Sequence, residues 1–396
     1  MISFGLSEDQ EILRDTVRKF AAEELRPKMR EWEKARAVPE GVRKKFSELG
    51  LELIDVPENL GGQGMGSLAA AVVHEELAYG DPGAAIALWG PGSAAAAILE
   101  LGDDEQRKRW LGALGNGKRG AVAYSEKWKV PASGFATTAQ AYGEGWLLTG
   151  AKSFVIGGGQ ADLTVVFAQV EGKGWDGVGA FVVDGTPDGM KQGARHDLIG
   201  VETIHAAELV FEACKVPRQN RLVGGGDFGK AARRFFARMA LTNAARQVGL
   251  ARASYEFALE YTQDRHAFGK PVAHFQSIAF TLAEMAMDVD AARCMLWKAA
   301  SDFDANTPGA LAQVARAAVQ ANTAAWRVAD DGVQLLGGAG FVQDYPAEKW
   351  ERDTKALALL APSSELQTLA VAAEILGRPD DFGPALPSSD IQPIFT

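Results

Sequence analysis

The stretch QLLGGAGFVQDYPAEKWERD, Gln334 to Asp353, sets Gly337, Gly338 and Gly340 between two runs of helical periodicity. Such glycines end a helix and leave backbone N–H groups uncovered, a geometry that lets another backbone or a phosphate come close. A plain glycine C-cap has the same look. The helical period runs over about 309–335 before the glycines and about 346–361 after them. Pro362 then breaks the pattern, and Ser363 and Ser364 restart it over 364–376. Proline lacks an N–H and disfavours helical geometry in the residue before it, while serine is a good N-cap, so two helix ends meet here.

Working upstream, helical periods also fill about 228–264 and 275–304. Segments of this length read as a helical bundle. The turn between them, DRHAFGKPVAHFQ (Asp264 to Gln276), places Arg265 at a helix end where a cation is favoured. Gly269 and Pro271 make the turn, and the Phe268 ring lies beside a potential anion site; a capped interhelical loop would look the same.

Between Gly120 and Leu222 short runs rich in Val, Phe and Thr alternate with glycine turns, and Gly143-Glu144-Gly145 marks a hairpin. About six or seven such runs without a long helix predict an antiparallel sheet or small barrel and argue against a Rossmann domain. Two of them, AVAYSE (Ala121 to Glu126) and AKSFVIGGG (Ala151 to Gly159), set an aromatic beside small or hydroxyl residues at a strand end. A flat cofactor ring would require that arrangement, and an ordinary sheet edge resembles it. The first third opens on the capping-box pattern Ser7-Glu8-Asp9-Gln10 and carries helical runs at Val42–Leu49, Leu68–Tyr79, Ala84–Leu99 and Glu105–Leu114. The expected class is mainly α with a central β domain: helical 1–118, β 119–227, a helical bundle 228–377 and a proline-rich tail 378–396.

Bulk properties narrow the function. A formal charge of -10 and a pI near 5.2 argue against a nucleic-acid surface, though a local basic pocket for a phosphorylated ligand is compatible with them. Cys214 and Cys294 stand far apart, which suggests neither a disulfide framework nor a cysteine metal site and fits a reducing cytoplasm. No run reaches the roughly 18 apolar residues of a membrane helix, and the opening residues match neither a secretory signal nor a transit peptide.

Together these segments resemble the acyl-CoA dehydrogenase family over nearly the whole chain, to about residue 377. The motifs that carry the resemblance are Q-x-x-G-G-x-G-F-x-x-D-x-x-x-x-K-x-x-x-D at Gln334 to Asp353 and R-x-x-F-G-K-P-x-x-x-F-Q at Arg265 to Gln276. V-P-E-x-x-G-G-Q-G at Val56 to Gly64 adds to them. The resemblance implies an N-terminal helical domain, a middle β-barrel or sheet and a C-terminal bundle. It also implies FAD held between the last two, with its ADP half completed by a neighbouring subunit of a homo-oligomer (dimer or tetramer) or of a heteromer with a homologous subunit. Carried over by position, Arg265, Phe268 and Gln276 would meet the pyrophosphate and adenosine side, and Gln334, Gly337 and Gly338 the same half across the interface. Tyr124 and Ser125 would lie along the flavin ring edge, and Phe154 would take the place of a stacking tryptophan. Ile156 stands where a hydroxyl residue is expected near flavin N5, and Ser363 where an FAD-binding threonine is expected.

The implied reaction is α,β-dehydrogenation of an acyl thioester, on CoA or an acyl carrier, with electrons passed to an electron-transfer flavoprotein. A carboxylate removes the α-proton while hydride leaves for the flavin. Counted from Arg352-Asp353-Thr354-Lys355, the usual place of that carboxylate is Ala361, and the place used by a subset of the family is Met239. Glu365 and Glu126 are the remaining candidates, Glu365 standing one helical turn past the vacant place and reading more readily as a solvated carboxylate at a helix start. In the thioester-covering loop, Pro131 replaces the serine expected on the CoA arm. Two other implied roles follow: a subunit that completes the site of a competent homologue, and a flavin enzyme of the oxygen-using branches.

Overall fold

A computed structural model describes residues 5–126, 135–171, 177–360 and 362–377. Among the described residues seven α-helices precede the first strand: α1 (Glu8–Phe20), α2 (Met29–Ala35), α3 (Glu40–Glu48), α4 (Gly66–Gly80), α5 (Pro82–Leu88), α6 (Gly92–Leu101) and α7 (Asp104–Gly115). The capping box at Ser7 forms in full, with Ser7 and Gln10 exchanging side-chain and backbone bonds. The run expected as one helix over 84–99 is two. Asp81 caps α5 by accepting from the Ala84 N–H at 2.6 Å, and the chain leaves helical geometry at Trp89. At the start of α6, Gly92 has φ +53 and a Cβ there would lie 2.5 Å from the Gly120 carbonyl, so the break lets the first strand come close.

The strands are β1 (Gly120–Ala123), β2 (Thr138–Tyr142), β3 (Gly145–Ile156), β4 (Leu163–Gln169), β5 (Val178–Asp184), β6 (Met190–Arg195), β7 (Ala206–Pro217) and β8 (Arg221–Leu222). They form one sheet in the order β6-β7-β3-β2-β4-β5-β8, with β1 on β4. The sheet is mixed, whereas the sequence suggests an antiparallel one: β1 runs parallel to β4 from Gly120↔Leu163, and β2 meets β4 in parallel at Thr138↔Gln169. Parallel neighbours need a long crossover, and the β2–β3 hairpin, turning on Gly143 and Glu144, supplies it. Strand β4 is covered on both faces. Leu163, Val165 and Phe167 pack with Ala97, Ile98 and Phe235, while Val166 and Ala168 join the sheet's other core with Leu209 and Phe211.

The C-terminal bundle comprises α8 (Phe228–Asp264), α9 (Gln276–Asp304), α10 (Ala310–Leu336), α11 (Ala347–Leu359) and α12 (Ser364–Ile375). A ribbon of β9 (His266–Ala267) and β10 (Lys270–Pro271) joins α8 to α9. Helix α8 crosses α4 closely: a Cβ on Gly249 would sit 2.1 Å from the Glu75 carbonyl. Beside the crossing, Arg252 meets Glu75 at 3.1 Å and Glu76 at 2.6 Å. Arg18 of α1 meets Glu76 at 3.1 Å and Arg293 of α9 meets Glu75 at 2.9 Å, so the charges bind each other across the crossing. Among the described residues no single helix is long and apolar enough to cross a membrane.

A second buried cluster joins all three parts of the chain. Lys349 Nζ of α11 lies 2.8 Å from Asp81 at the start of α5 and 2.6 Å from Asp353 one turn on. Asp353 also accepts the Val201 N–H at 2.6 Å, from the connection between β6 and β7. Burial alone would push the Lys349 ammonium down, but the two carboxylates outweigh it and hold the group charged. We expect Lys349→Met, which leaves two buried carboxylates without a cation, to cost about 3–5 kcal/mol. Urea unfolding measures it, and Asp353→Asn, which keeps an acceptor for Val201, should cost less.

Candidate functional site

The sequence-predicted residues gather in two places. Consecutive helices of the bundle alternate direction, so α8 ends, α9 begins, α10 ends and α11 begins at one end of it. There Ala258, Leu282, Met285, Leu336 and Ala347 share one buried cluster. Above it Arg265, Phe268, Gln276, Gln334, Gly337 and Gly338 all face solvent. Phe268 is 96% exposed and its backbone is left-handed at φ +50, so the ribbon holds the ring outward. The glycines divide by role. A Cβ on Gly340 would sit 2.1 Å from the Val333 carbonyl, whereas on Gly337 or Gly338 it would meet nothing within 4 Å. Gly340 permits the turn, and the other two offer open backbone.

The second group lies on the sheet. Ser125 bridges Phe154, with the Ser153 N–H donating to the Ser125 carbonyl at 2.8 Å. Phe154 and Ile156 share a face of β3 and pack with Leu357 and Leu360 at the far end of α11. The Phe154 ring stacks on His196 at 5.5 Å and 21°. Tyr124 turns away from any open edge: its ring lies 4.7 Å from Phe236 and 5.3 Å from Phe135, and burial pushes its hydroxyl well above the ordinary range. The two groups stand apart by roughly the length of α11, about 20 Å for its 13 residues.

The base candidates resolve differently. Glu126 is anchored: its carboxylate accepts the Ala136 N–H at 2.7 Å, the Thr137 N–H at 3.0 Å and the buried Lys152 Nζ at 2.7 Å. Burial pushes this carboxyl up, but Lys152 and the Thr137 bonds outweigh it, leaving the group below its ordinary value. Glu365 is exposed in the first turn of α12, whose start is capped by Ser363 accepting from the Leu366 N–H at 3.4 Å. Ala361 and Pro131 lie outside the described residues, as does the tail 378–396.

A cavity of about 320 Å³ opens beside Ile156 and Gly157, where β3 ends. Met239, Thr242 and Arg246 form its α8 wall, and His74 and Trp89 stand among the residues of the α4–α6 side. Its polarity was not read from the sequence. Arg246 is buried, its Nη1 donates to Asn243 at 3.2 Å, and its Nε has no partner. Burial lowers this guanidinium to about 9. His74 is buried against Trp89 with ring centroids 4.2 Å apart, its Nδ1 lacks a partner, and burial together with Arg246 pushes it well below its ordinary value, so it is neutral. The available signal was a charge inside the small-residue run AARQVGLA, and a histidine directly after the apolar run AAAVV in AAAVVHEELA.

Three domain signatures cover the chain: acyl-CoA dehydrogenase N-terminal domain at 7–118, middle domain at 123–214 and C-terminal domain at 229–376. The chain belongs to the acyl-CoA dehydrogenase family. It is 34% identical over 378 residues to the short-chain specific acyl-CoA dehydrogenase, mitochondrial, of Rattus norvegicus, covering 94% of this chain and 92% of that one. Butyryl-CoA dehydrogenase from Megasphaera elsdenii shares the fold at a TM-score of 0.88 and 30% identity, covering 95% of this chain and 100% of that one. A chain in the structure of the electron transferring flavoprotein of Acidaminococcus fermentans matches equally, at 0.88 and 31%, over 95% and 100%.

Members of the acyl-CoA dehydrogenase family are FAD flavoproteins. The exposed bundle end fits the nucleotide half of such a group. Arg265 has no acidic partner among the described residues, the Gly337 and Gly338 backbone is open, and α9 begins at Gln276 with its first N–H groups available. Glu126 serves structure, and Glu126→Gln is expected to cost about 3 kcal/mol at pH 7 by leaving Lys152 buried without its counter-ion. Burial already lowers Lys152 to about 8, so it sheds its proton on the alkaline side and the deficit should narrow at pH 9. In the unmodified chain the depressed Glu126 contributes stability that is present above 4.5 and lost as pH falls below it. Thermal unfolding across pH measures both.

Proposed function

We propose that this chain binds FAD and oxidises an acyl thioester, carried by CoA or an acyl carrier, to the α,β-unsaturated form, with electrons leaving to an electron-transfer flavoprotein. The observation that carries the reading is the cavity at the end of β3, on a scaffold that matches the family in all three domains. Arg265 would neutralise the pyrophosphate, helped by the N–H groups that open α9, while Phe268 offers a stacking face for the adenine. Gln334 and the open backbone of Gly337 and Gly338, about 20 Å from the sheet group along α11, are read as serving the site of a second subunit. Ser125, Phe154 and Ile156 would border the ring, with Ser363 holding its linker side and Tyr124 acting from behind as packing. FAD when bound supplies a two-electron acceptor for hydride. The acyl chain would lie between Met239 and Thr242 on one side and Ile86 and Trp89 on the other, which excludes water from it. The free thiols of Cys214 and Cys294 agree with a reducing cytoplasm, and the division at 118, 227 and 377 belongs to this reading.

A second reading has its own observation. Glu126 is locked, Glu365 faces solvent, and the α8 wall of the cavity carries Met239 where the second base position is expected, with no carboxylate. A chain with these features would serve as the partner subunit that completes a site on a competent homologue. The absorption spectrum separates the two. The purified chain should be yellow, and under the first reading anaerobic addition of some member of an acyl-CoA panel bleaches it. Under the second it stays unbleached with every thioester until a homologous subunit is added. A chain that retains no flavin and takes up none from solution would overturn the first reading.

A further inference from the structure

We infer that the cavity beside Ile156 receives an acyl group whose distal end is a carboxylate, and that Arg246 holds that end. The inference rests on the thioester reading above and names the substrate class. Six arginines line the cavity, and five of them are spoken for. Arg36 meets Asp197 at 2.7 Å, Arg119 meets Glu40 at 3.0 Å, and Arg238 meets Asp55 and Glu100, each at 2.7 Å. Arg43 donates to the Ala87 carbonyl and lies 3.4 Å from Glu40, and Arg195 donates to the carbonyls of Arg36, Glu202 and Ile204. Of the six, only Arg246 has neither a carboxylate nor a backbone carbonyl as partner among the described residues; its one bond goes to the neutral amide oxygen of Asn243.

The cavity wall carries several orphaned polar atoms, the Nε of Arg36, Arg43 and Arg195 among them. Arg246 Nε, His74 Nδ1 and Thr203 Oγ1 are buried, line the same cavity by their residues and have no partner. Of the acids on the wall, Glu40 and Asp55 are engaged with arginines, and Glu52 accepts from Ser47 at 2.9 Å and from the Gly90 N–H at 3.3 Å. With His74 neutral, Arg246 is left on the cavity wall as a cation with no anionic partner among the described residues. A buried guanidinium is stable only when an anion or several acceptors meet it, and its fork suits a carboxylate. Arg246 follows Met239 by seven residues on one face of α8, so the anion would sit about 10 Å along the wall from Met239. A methyl-ended chain would leave the cation bare.

The test is equilibrium binding to the purified chain supplied with FAD. Succinyl-, glutaryl- and adipyl-CoA are compared by calorimetry with butyryl-, valeryl- and hexanoyl-CoA, in the unmodified chain, Arg246→Leu and Arg246→Gln. At least one carboxylate-ended thioester should bind about tenfold or more tighter than its methyl-ended twin, and both variants should lose that preference. Arg246→Leu should also raise the Tm of the ligand-free chain, because it removes an uncompensated charge. Equal binding of the twins, or a preference that survives both variants, overturns the carboxylate subsite and leaves the thioester reading standing. If no thioester binds but free glutarate or adipate raises the Tm of the unmodified chain and not of the variants, the thioester reading fails and the anion site stands. If neither class binds, or the variants lose stability as for a structural arginine, the inference is overturned.

Discussion

The contact on which the rest of the molecule depends is the sharing of one ammonium, Lys349, by two buried carboxylates, Asp81 and Asp353. An ion cluster of this kind gains little over a well-packed apolar one of the same volume, but it tolerates no displacement, because each member that moves leaves an uncompensated charge behind. Its members come from the start of α5, from α11, and through the Val201 N–H from the connection between β6 and β7. Position therefore follows from electrostatics. Helix α11 cannot slide, so Leu357 and Leu360 stay behind Phe154 and Ile156, and the glycine turn before Ala347 stays at the bundle end.

That fixed helix keeps the two groups of candidate residues about 20 Å apart, one on the sheet and one at the bundle end. A cofactor reaching from the sheet to the exposed ribbon must span the helix or be finished by a second molecule. The second arrangement suits residues such as Gln334, Gly337 and Gly338, which face outward, a Cβ on either glycine meeting nothing within 4 Å. The outward Phe268 suits it too: its backbone is left-handed, its ring is exposed, and only its edge-on contact with Phe275 is recorded among the described residues.

Much of the fold was legible because its signals are local. The capping box at Ser7, the hairpin turn at Gly143 and the long apolar periods of α8, α9 and α10 each report on residues close in sequence. The parallel pairing of β1 with β4 was not, because two strands forty residues apart carry no mark of their mutual direction. The break between α5 and α6 was hidden for a related reason: Pro91 and Gly92 were visible, but the need for the break lies in the approach of Gly120, which the local pattern does not contain. The site divides in the same way. Loop residues such as Arg265 and Gly338 are recognisable by type and spacing. Lys349 and Asp353 sit in the same motif, yet their task depends on Asp81, far away in sequence, and Glu126 looked available until Lys152 was found beneath it.

The cavity inverts the usual relation between a buried charge and its partners. Elsewhere in the chain buried cations are met on the spot: Arg252 by Glu75 and Glu76, Lys349 by Asp81 and Asp353, Lys152 by Glu126. Among the described residues Arg246 is the exception, and it stands on the helix wall that also carries Met239, which on the proposed reading takes the place of a carboxylate found in a subset of the family. A carboxylate there would have lain about 10 Å from the guanidinium along the helix and attracted it across a poorly screened interior. With Met239 in its place, the compensating charge must come from the occupant. The absence of an acid at one end of the wall and the presence of an unpaired cation at the other are then two parts of one change, which shifts the cavity from supplying a negative charge to requiring one.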